Sequence, residues 1–145
     1  MYEGFFYNGK RQFLGREIFN KGKYKYIGFF NQNFKSGFGI LSNKKIKYVG
    51  EFQYDKKHGK GKEILNNGDV YEGDFDKDYR SGEGMLRTRN FEYRGKFKKG
   101  LFEGRGVCDW NDDKKFVGLW KEGVRHGNGE FYWPDGRSFK GKALF

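Results

Sequence analysis

Tyr71-Glu72-Gly73-Asp74-Phe75, a polar turn, then Gly82-Glu83-Gly84 is the stretch whose reading decides the fold. Written as a pattern it is Y-x-G-x-F, six residues, G-x-G. Its first position recurs at Tyr2, Tyr26, Tyr48, Tyr71, Tyr93, Phe116 and Phe139, at spacings of 24, 22, 23, 22, 23 and 23. A fixed period in this range is the signature of a repeat architecture. The chain reads as one array, 1–145, without a linker or a second domain. Its repeats are 2–25, 26–47, 48–70, 71–92, 93–115 and 116–138, with a partial seventh at 139–145. The first repeat departs from the pattern, with Phe13 in place of the first glycine of G-x-G.

Composition points to strands. Only 35% of the residues are hydrophobic, yet 21% are aromatic, so the apolar surface is concentrated in rings. Alanine occurs once, at Ala143, and proline once, whereas there are 24 glycines. Short runs of tyrosine, phenylalanine and valine between glycines read as strands. Side chains alternate along a strand, which puts Tyr, Gly and Phe of Y-x-G-x-F on one face and both glycines of G-x-G on one face. Pairing around the intervening turn sets Phe75 opposite Gly82 and Gly73 opposite Gly84, with large rings over glycines. Asn67-Gly68 and Asp135-Gly136 are hairpin turns between repeats, and Lys21-Gly22 is a weaker signal of the same kind. The expectation is an all-β fold: an elongated, twisted, single-layer antiparallel sheet of stacked β-hairpins, about thirteen strands, open and not a barrel.

These motifs resemble the MORN repeat (membrane occupation and recognition nexus), with Y-x-G-x-[FW] and G-x-G in register over almost the whole chain. The departures are Phe13, phenylalanine at 116 and 139, and phenylalanine where the family often carries tryptophan. The resemblance implies a ribbon of hairpins that receives partner segments on its aromatic groove. It also implies membership of a cytoskeletal, ciliary or axonemal, or membrane-associated assembly. No lipid-kinase or methyltransferase domain of the kind that accompanies such repeats is present.

No catalytic set is visible, and the chain reads as a non-enzyme without a cofactor. His58 and His126 occupy the same repeat position in different repeats, which argues against a shared metal. Cys108 is alone and reads as a small apolar filler in a reducing compartment. Asp74 and Asp76 read as solvated charge. The G-x-G pairs lie inside strands and precede no helix, so they fail as phosphate loops.

Three surfaces remain. An inner face carries Tyr2, Phe6, Tyr26, Phe30, Tyr48, Phe52, Tyr71, Phe75, Tyr93, Phe97, Phe116 and Trp120. Those rings are the core of the sheet, and a single layer is expected to leave them open to a partner. The outer face of the first two repeats carries Phe5, Tyr7, Leu14, Ile18, Ile27, Phe29, Phe38 and Ile40, where later repeats place Glu51, Asp74, Lys96, Lys60, Glu83 and Arg105. That asymmetry marks a docking surface or local packing. Lys21, Lys23, Lys25, Lys44, Lys45 and Lys47 gather at two inter-repeat turns, and Lys57 falls in a polar turn. A polybasic edge attracts anionic surfaces, and a solvated lysine-rich turn is the plainer account of it.

The net charge of +11 favours acidic partners, and it also follows from a lysine-rich composition. The reading is a scaffold that binds other proteins of a larger assembly or a second copy. The alternative is anionic phospholipid, phosphoinositide included, at the lysine edge. Nucleic acid is disfavoured because rings and lysines are expected on separate surfaces. No secretory signal or apolar run of about 20 residues is visible. A cytoplasmic place follows, on the cytoskeleton, in a cilium or at the cytoplasmic face of a membrane.

Overall fold

The computed structural model describes residues 1–143; the end of the partial seventh repeat, Leu144 and Phe145, lies outside them. Thirteen strands account for the fold, and no helix occurs among the described residues. They are β1 (Tyr2–Tyr7), β2 (Lys10–Phe19), β3 (Tyr24–Asn31), β4 (Phe34–Ser42), β5 (Ile46–Gln53), β6 (Lys56–Leu65) and β7 (Val70–Asp76). Then come β8 (Tyr79–Arg87), β9 (Phe91–Lys98), β10 (Leu101–Trp110), β11 (Lys115–Lys121), β12 (Val124–Tyr132) and β13 (Ser138–Ala143). Sheet order is chain order, as expected for antiparallel hairpins laid down one after another. The chain divides into two compact units, Met1–Asn67 with Phe75–Asp78, and Gly68–Asp74 with Tyr79 onward.

In the first unit a line of glycines crosses the strands. Gly4 pairs with Gly15, Gly15 with Gly28, Gly28 with Gly39, Gly39 with Gly50, and Gly50 with Gly61. The tyrosine of each repeat lies flat over this line: a Cβ at Gly61 would stand 2.4 Å from the Tyr48 ring. The ring continues to the backbone beyond, where the Tyr48 hydroxyl donates to the Glu51 carbonyl at 2.7 Å and the Tyr26 hydroxyl to that of Phe29 at 2.8 Å. Each phenylalanine then meets tyrosine edges on both sides. Tyr26 contacts Phe30 at 5.1 Å and Phe52 at 5.2 Å, and Tyr48 contacts Phe52 at 5.0 Å and Phe75 at 5.1 Å, all near perpendicular. Edge-to-face pairs of this kind add about 0.5–1.5 kcal/mol each to the burial itself.

The second unit repeats the construction. Its glycine line runs Gly84, Gly95, Gly106, Gly118, Gly129, Gly141. Tyr71 packs on Phe97, Phe97 on Tyr93, Tyr93 on Trp120, and Trp120 on Phe116. Phe116 keeps the ring over Gly129, with its Cζ 2.5 Å from where a Cβ would lie, and lacks the hydroxyl.

The register within each hairpin corrects one expectation. The phenylalanine does not face the first glycine of its own G-x-G. Phe30 pairs with Lys35, Phe52 with Lys57, Phe97 with Phe102 and Trp120 with Arg125, each followed or preceded by a bulge. The first glycine pairs instead with the next repeat, Gly37 with Phe52 and Gly82 with Phe97. It is the bulge residue itself: φ is +70° at Gly37, Gly59 and Gly104, +67° at Gly82 and +63° at Gly127. A side chain there is strained. Phe13 holds the same position at φ +61°.

The turns inside the hairpins are two residues long with positive φ at both, as type I′ turns require: Asn8-Gly9, Gln32-Asn33, Tyr54-Asp55, Lys77-Asp78, Lys99-Gly100 and Glu122-Gly123. In the first unit the second turn residue also clamps the preceding hairpin. The Lys35 amide donates to Asp55 Oδ1 at 2.7 Å and the Lys57 amide to Asp78 Oδ1 at 2.8 Å, while Asp55 and Asp78 amides donate back to the same residues' carbonyls. Asn33 does this to Arg11.

Candidate functional site: the two faces of the sheet

Burial corrects the expectation that one layer leaves its aromatic face open. On the ring face all the motif rings except Tyr2, Phe6 and Phe139 are buried, at 0 to 7% exposure. Tyr2 is half-buried and Phe6 is 62% exposed. The tyrosines lie over the glycine line, and a row of cations lies over the tyrosines. Lys35 Nζ stands 5.5 Å from the Tyr26 centroid and Lys57 Nζ 5.3 Å from that of Tyr48. Arg11 covers Tyr2 and Phe30, Arg80 covers Tyr71 and Arg125 covers Phe116. Lys57 is therefore a strand residue of the ring face, not a turn lysine, and it is paired at 2.9 Å with Glu63, which is buried. Arg11 pairs with Glu17 in the same way. Rings and cations share one face, contrary to the expected separation, but the covered rings are closed to a stacking base.

Burial sets the chemistry of the phenols. Loss of solvent raises Tyr26, Tyr48 and Tyr93 well above the ordinary tyrosine range, with nearby carboxylates adding to the effect. The Cys108 thiol, buried opposite Tyr93 and Phe116, is pushed up to about 12 by burial and by Asp109, against a smaller pull from Arg125. It is a packed, protonated thiol.

Besides Tyr2 and Phe6 at the first hairpin, a partly open stretch of the ring face lies in the second unit. In the fifth repeat the cation is replaced by Phe102, stacked on Tyr93 at 3.8 Å and 6°. Phe91 pairs across the sheet with Trp110, Trp110 stacks on Phe131 at 5.9 Å, and Phe131 meets Trp133 at 4.7 Å. Phe91, Phe102, Trp110, Phe131 and Trp133 are all half-buried and contiguous, with Arg125 over Phe131 at 5.6 Å and Arg137 over Trp133 at 5.6 Å. None of them belongs to the motif positions. Alternation carried two residues before Tyr93 and two to four residues beyond Gly106 and Gly129 would have placed Phe91, Trp110, Phe131 and Trp133 on this face.

The outer face differs between the first two repeats and the third and fourth. In the first unit Phe5, Tyr7, Leu14, Ile27, Phe29 and Phe38 are exposed, and Ile18 and Ile40 are half-buried. Cross-strand pairs confirm that they share a face: Leu14 with Phe29, Ile27 with Ile40, Ile40 with Val49. In the third and fourth repeats the place of Phe29 is taken by Glu51 and Asp74. These are not merely solvated. Glu51 Oε2 accepts the Lys60 amide at 2.7 Å and Asp74 Oδ2 the Glu83 amide at 3.2 Å, satisfying the N–H just after the bulge glycine. Asp76 lies 3.6 Å from His58 Nδ1.

Lys21, Lys23, Lys25, Lys44, Lys45 and Lys47 are exposed around the β2–β3 and β4–β5 turns. Lys25 and Lys47 both pair with Ser42, so they stand on one row of the outer face. No group of three or more His, Cys, Asp and Glu side chains arranged to hold a metal occurs among the described residues.

No curated protein matches the chain. The family model described as MORN repeat matches six times, at residues 2–24, 26–43, 48–70, 71–90, 93–115 and 116–136. The matched segments cover most of the chain and coincide with the hairpins whose rings, glycine line and bulges are described above, and on that evidence the chain belongs to the MORN-repeat family.

Proposed function

We propose that the protein is a non-enzymatic scaffold that seats a segment of a partner protein on the half-buried aromatic strip of its second unit. One observation carries this reading: Phe91, Phe102, Trp110, Phe131 and Trp133 form a contiguous ring surface left partly open, whereas Tyr71, Tyr93, Phe97, Phe116 and Trp120 on the same face of that unit are buried. Tryptophan, tyrosine and arginine dominate binding energy at protein interfaces, and this strip offers Trp110, Trp133, Arg125 and Arg137. A place in a cytoskeletal, ciliary or axonemal, or membrane-associated assembly belongs to the same proposal, and the MORN-repeat family supports it. A second reading has its own observation. The six lysines at the two turns are exposed and carry no ion pair among the described residues, which suits an anionic phospholipid surface at about 1 kcal/mol per lysine.

One variant panel tests both readings. Affinity capture from the source cells compares the native protein, Trp110→Ser with Trp133→Ser, and Lys44→Glu with Lys45→Glu and Lys47→Glu. Vesicle flotation with phosphatidylserine at physiological salt uses the same proteins. The scaffold reading expects specific partners lost only in the tryptophan pair, with affinity down at least tenfold. Partners retained by that pair overturn the strip as the site. Flotation lost only in the lysine triple would establish the second reading.

A further inference from the structure

The outer face of the first unit presents rows of side chains that run across the strands. The first row is Leu14, Phe29 and Phe38, where Leu14 pairs with Phe29 and Phe38 with Glu51. The next is Arg16, Ile27, Ile40, Val49 and Lys62, each paired with the next across the sheet. The third is Ile18, Lys25, Ser42, Lys47 and Ile64. Leu14, Ile27, Phe29 and Phe38 are 43 to 53% exposed, and Phe5 beside them is 61% exposed. Their rings and branches take no part in the ring-face core.

The charges around this surface are uneven. Arg16 is paired with Glu3 at 3.2 Å, and Glu51 is held by the Lys60 amide. Lys25, Lys47 and Lys62 have no ion-pair partner among the described residues. The surface therefore has an apolar middle and a lysine margin on the side of the inter-repeat turns.

We propose that this face docks an acidic amphipathic helix of a partner protein. A sheet face that exposes a contiguous apolar surface is covered in layered domains by a helix with a matching stripe. The apolar rows and the lysine row are two residues apart along each strand, about 7 Å per step, so the three span about 14 Å, and a helix of about 10–12 Å diameter centred on the middle row reaches the near edges of the other two. A helix lying across the strands with leucines or phenylalanines inward would bring one flank over Lys25 and Lys47. That flank has to be glutamate or aspartate. A second copy of this chain is the wrong occupant, because it brings another +11 of charge. The proposal rests on the scaffold reading but not on the Trp110 strip, so each can fail alone.

The test uses the full chain and two synthetic helical peptides, both with leucine at i, i+3, i+4 and i+7. One carries glutamate at the remaining positions and the other lysine. Binding is read by fluorescence anisotropy, and the site by amide shifts of β2 to β5 in the isotope-labelled protein. The glutamate peptide is expected to bind at least tenfold more tightly than the lysine peptide and to shift Ile27, Phe29 and Ile40. Phe29→Gln with Phe38→Gln should weaken it tenfold or more, and Lys25→Gln with Lys47→Gln should reduce both affinity and salt dependence. Both pairs are exposed, and thermal melting checks that each variant folds. Should the Phe29 and Phe38 pair melt early, the lysine pair carries the test. Equal affinity for the two peptides overturns the proposal, as does binding unchanged in the folded variants or shifts confined to the Trp110 strip. A concentration-dependent dimer in sedimentation, lost in the phenylalanine pair, would assign the face to a second copy. Preferential binding to phosphatidylserine vesicles, lost in the same pair, would assign it to a membrane.

Discussion

Phe13 is a side chain in a position built for none. Every later repeat puts glycine at that bulge, and Phe13 adopts φ +61° with its ring 57% exposed. A non-glycine residue in the left-handed region costs roughly 1–2 kcal/mol, and an exposed ring recovers little of it by burial. Phe13→Gly is therefore expected to stabilise the first unit by about 1 kcal/mol after the extra chain entropy of glycine is subtracted. Chemical denaturation should show a higher midpoint at unchanged slope; a lower midpoint would mean that Phe13 packs in a way its exposure does not reveal. The second glycine of each G-x-G works differently. Its backbone is ordinary, and it is needed because a tyrosine ring occupies the space of a Cβ, 2.4 Å away at Gly61. Two glycines two residues apart thus answer two separate demands, one of backbone and one of space.

At the scale of the hairpin, the second turn residue carries more than the turn. Asp55 tolerates positive φ, accepts the Lys35 amide at 2.7 Å and stands 3.8 Å from Lys35 Nζ. Asn33 does the same for Arg11 without a charge. Asp55→Asn should accordingly be near neutral. Asp55→Ala should cost about 1–2 kcal/mol through the unmet amide and the strained φ. Equal melting temperatures for the two variants would show that the clamp contributes nothing. The strands, their order and the glycine pairing were legible in the sequence, because period and alternation survive wherever backbone geometry is regular. Where it is not, as at Gly28-x-Phe30 and Gly50-x-Phe52, alternation alone does not give the partner. The bulge at the first glycine shifts register, so Lys35 and Lys57 arrive opposite the phenylalanines, where unshifted pairing puts glycine. The motif does not specify the residue over each tyrosine, so neither the covering cations nor Phe102, which takes the place of a cation in the fifth repeat, carries a signal in the pattern. The half-open strip of Trp110, Phe131 and Trp133 lies two to four residues outside the motif, where the repeat pattern specifies no residue.

For the molecule as a whole, the tyrosines that build the sheet also limit the pH at which it stands. Tyr26, Tyr48 and Tyr93 are 0 to 1% exposed, and loss of solvent is the largest cause raising each of them above the ordinary value near 10. The folded chain holds these protons where the unfolded chain releases them. Above pH 10 the unfolded state therefore binds fewer protons, and stability falls with rising pH. Below pH 10 both states keep the protons, and these groups contribute no pH dependence. The expected outcome is a melting temperature that drops steeply above pH 10. The 295 nm absorbance of these phenolates should appear together with the loss of β-sheet circular dichroism and not before it. Tyr48→Phe removes one of the three protons along with the bond to Glu51, so it should melt earlier at neutral pH yet show a shallower alkaline slope. Phe116, which already lacks the hydroxyl and keeps its ring over Gly129, indicates that the fold accepts this change. An alkaline slope unchanged in Tyr48→Phe would place the proton release elsewhere and remove the buried phenol of that repeat as a cause of the pH limit.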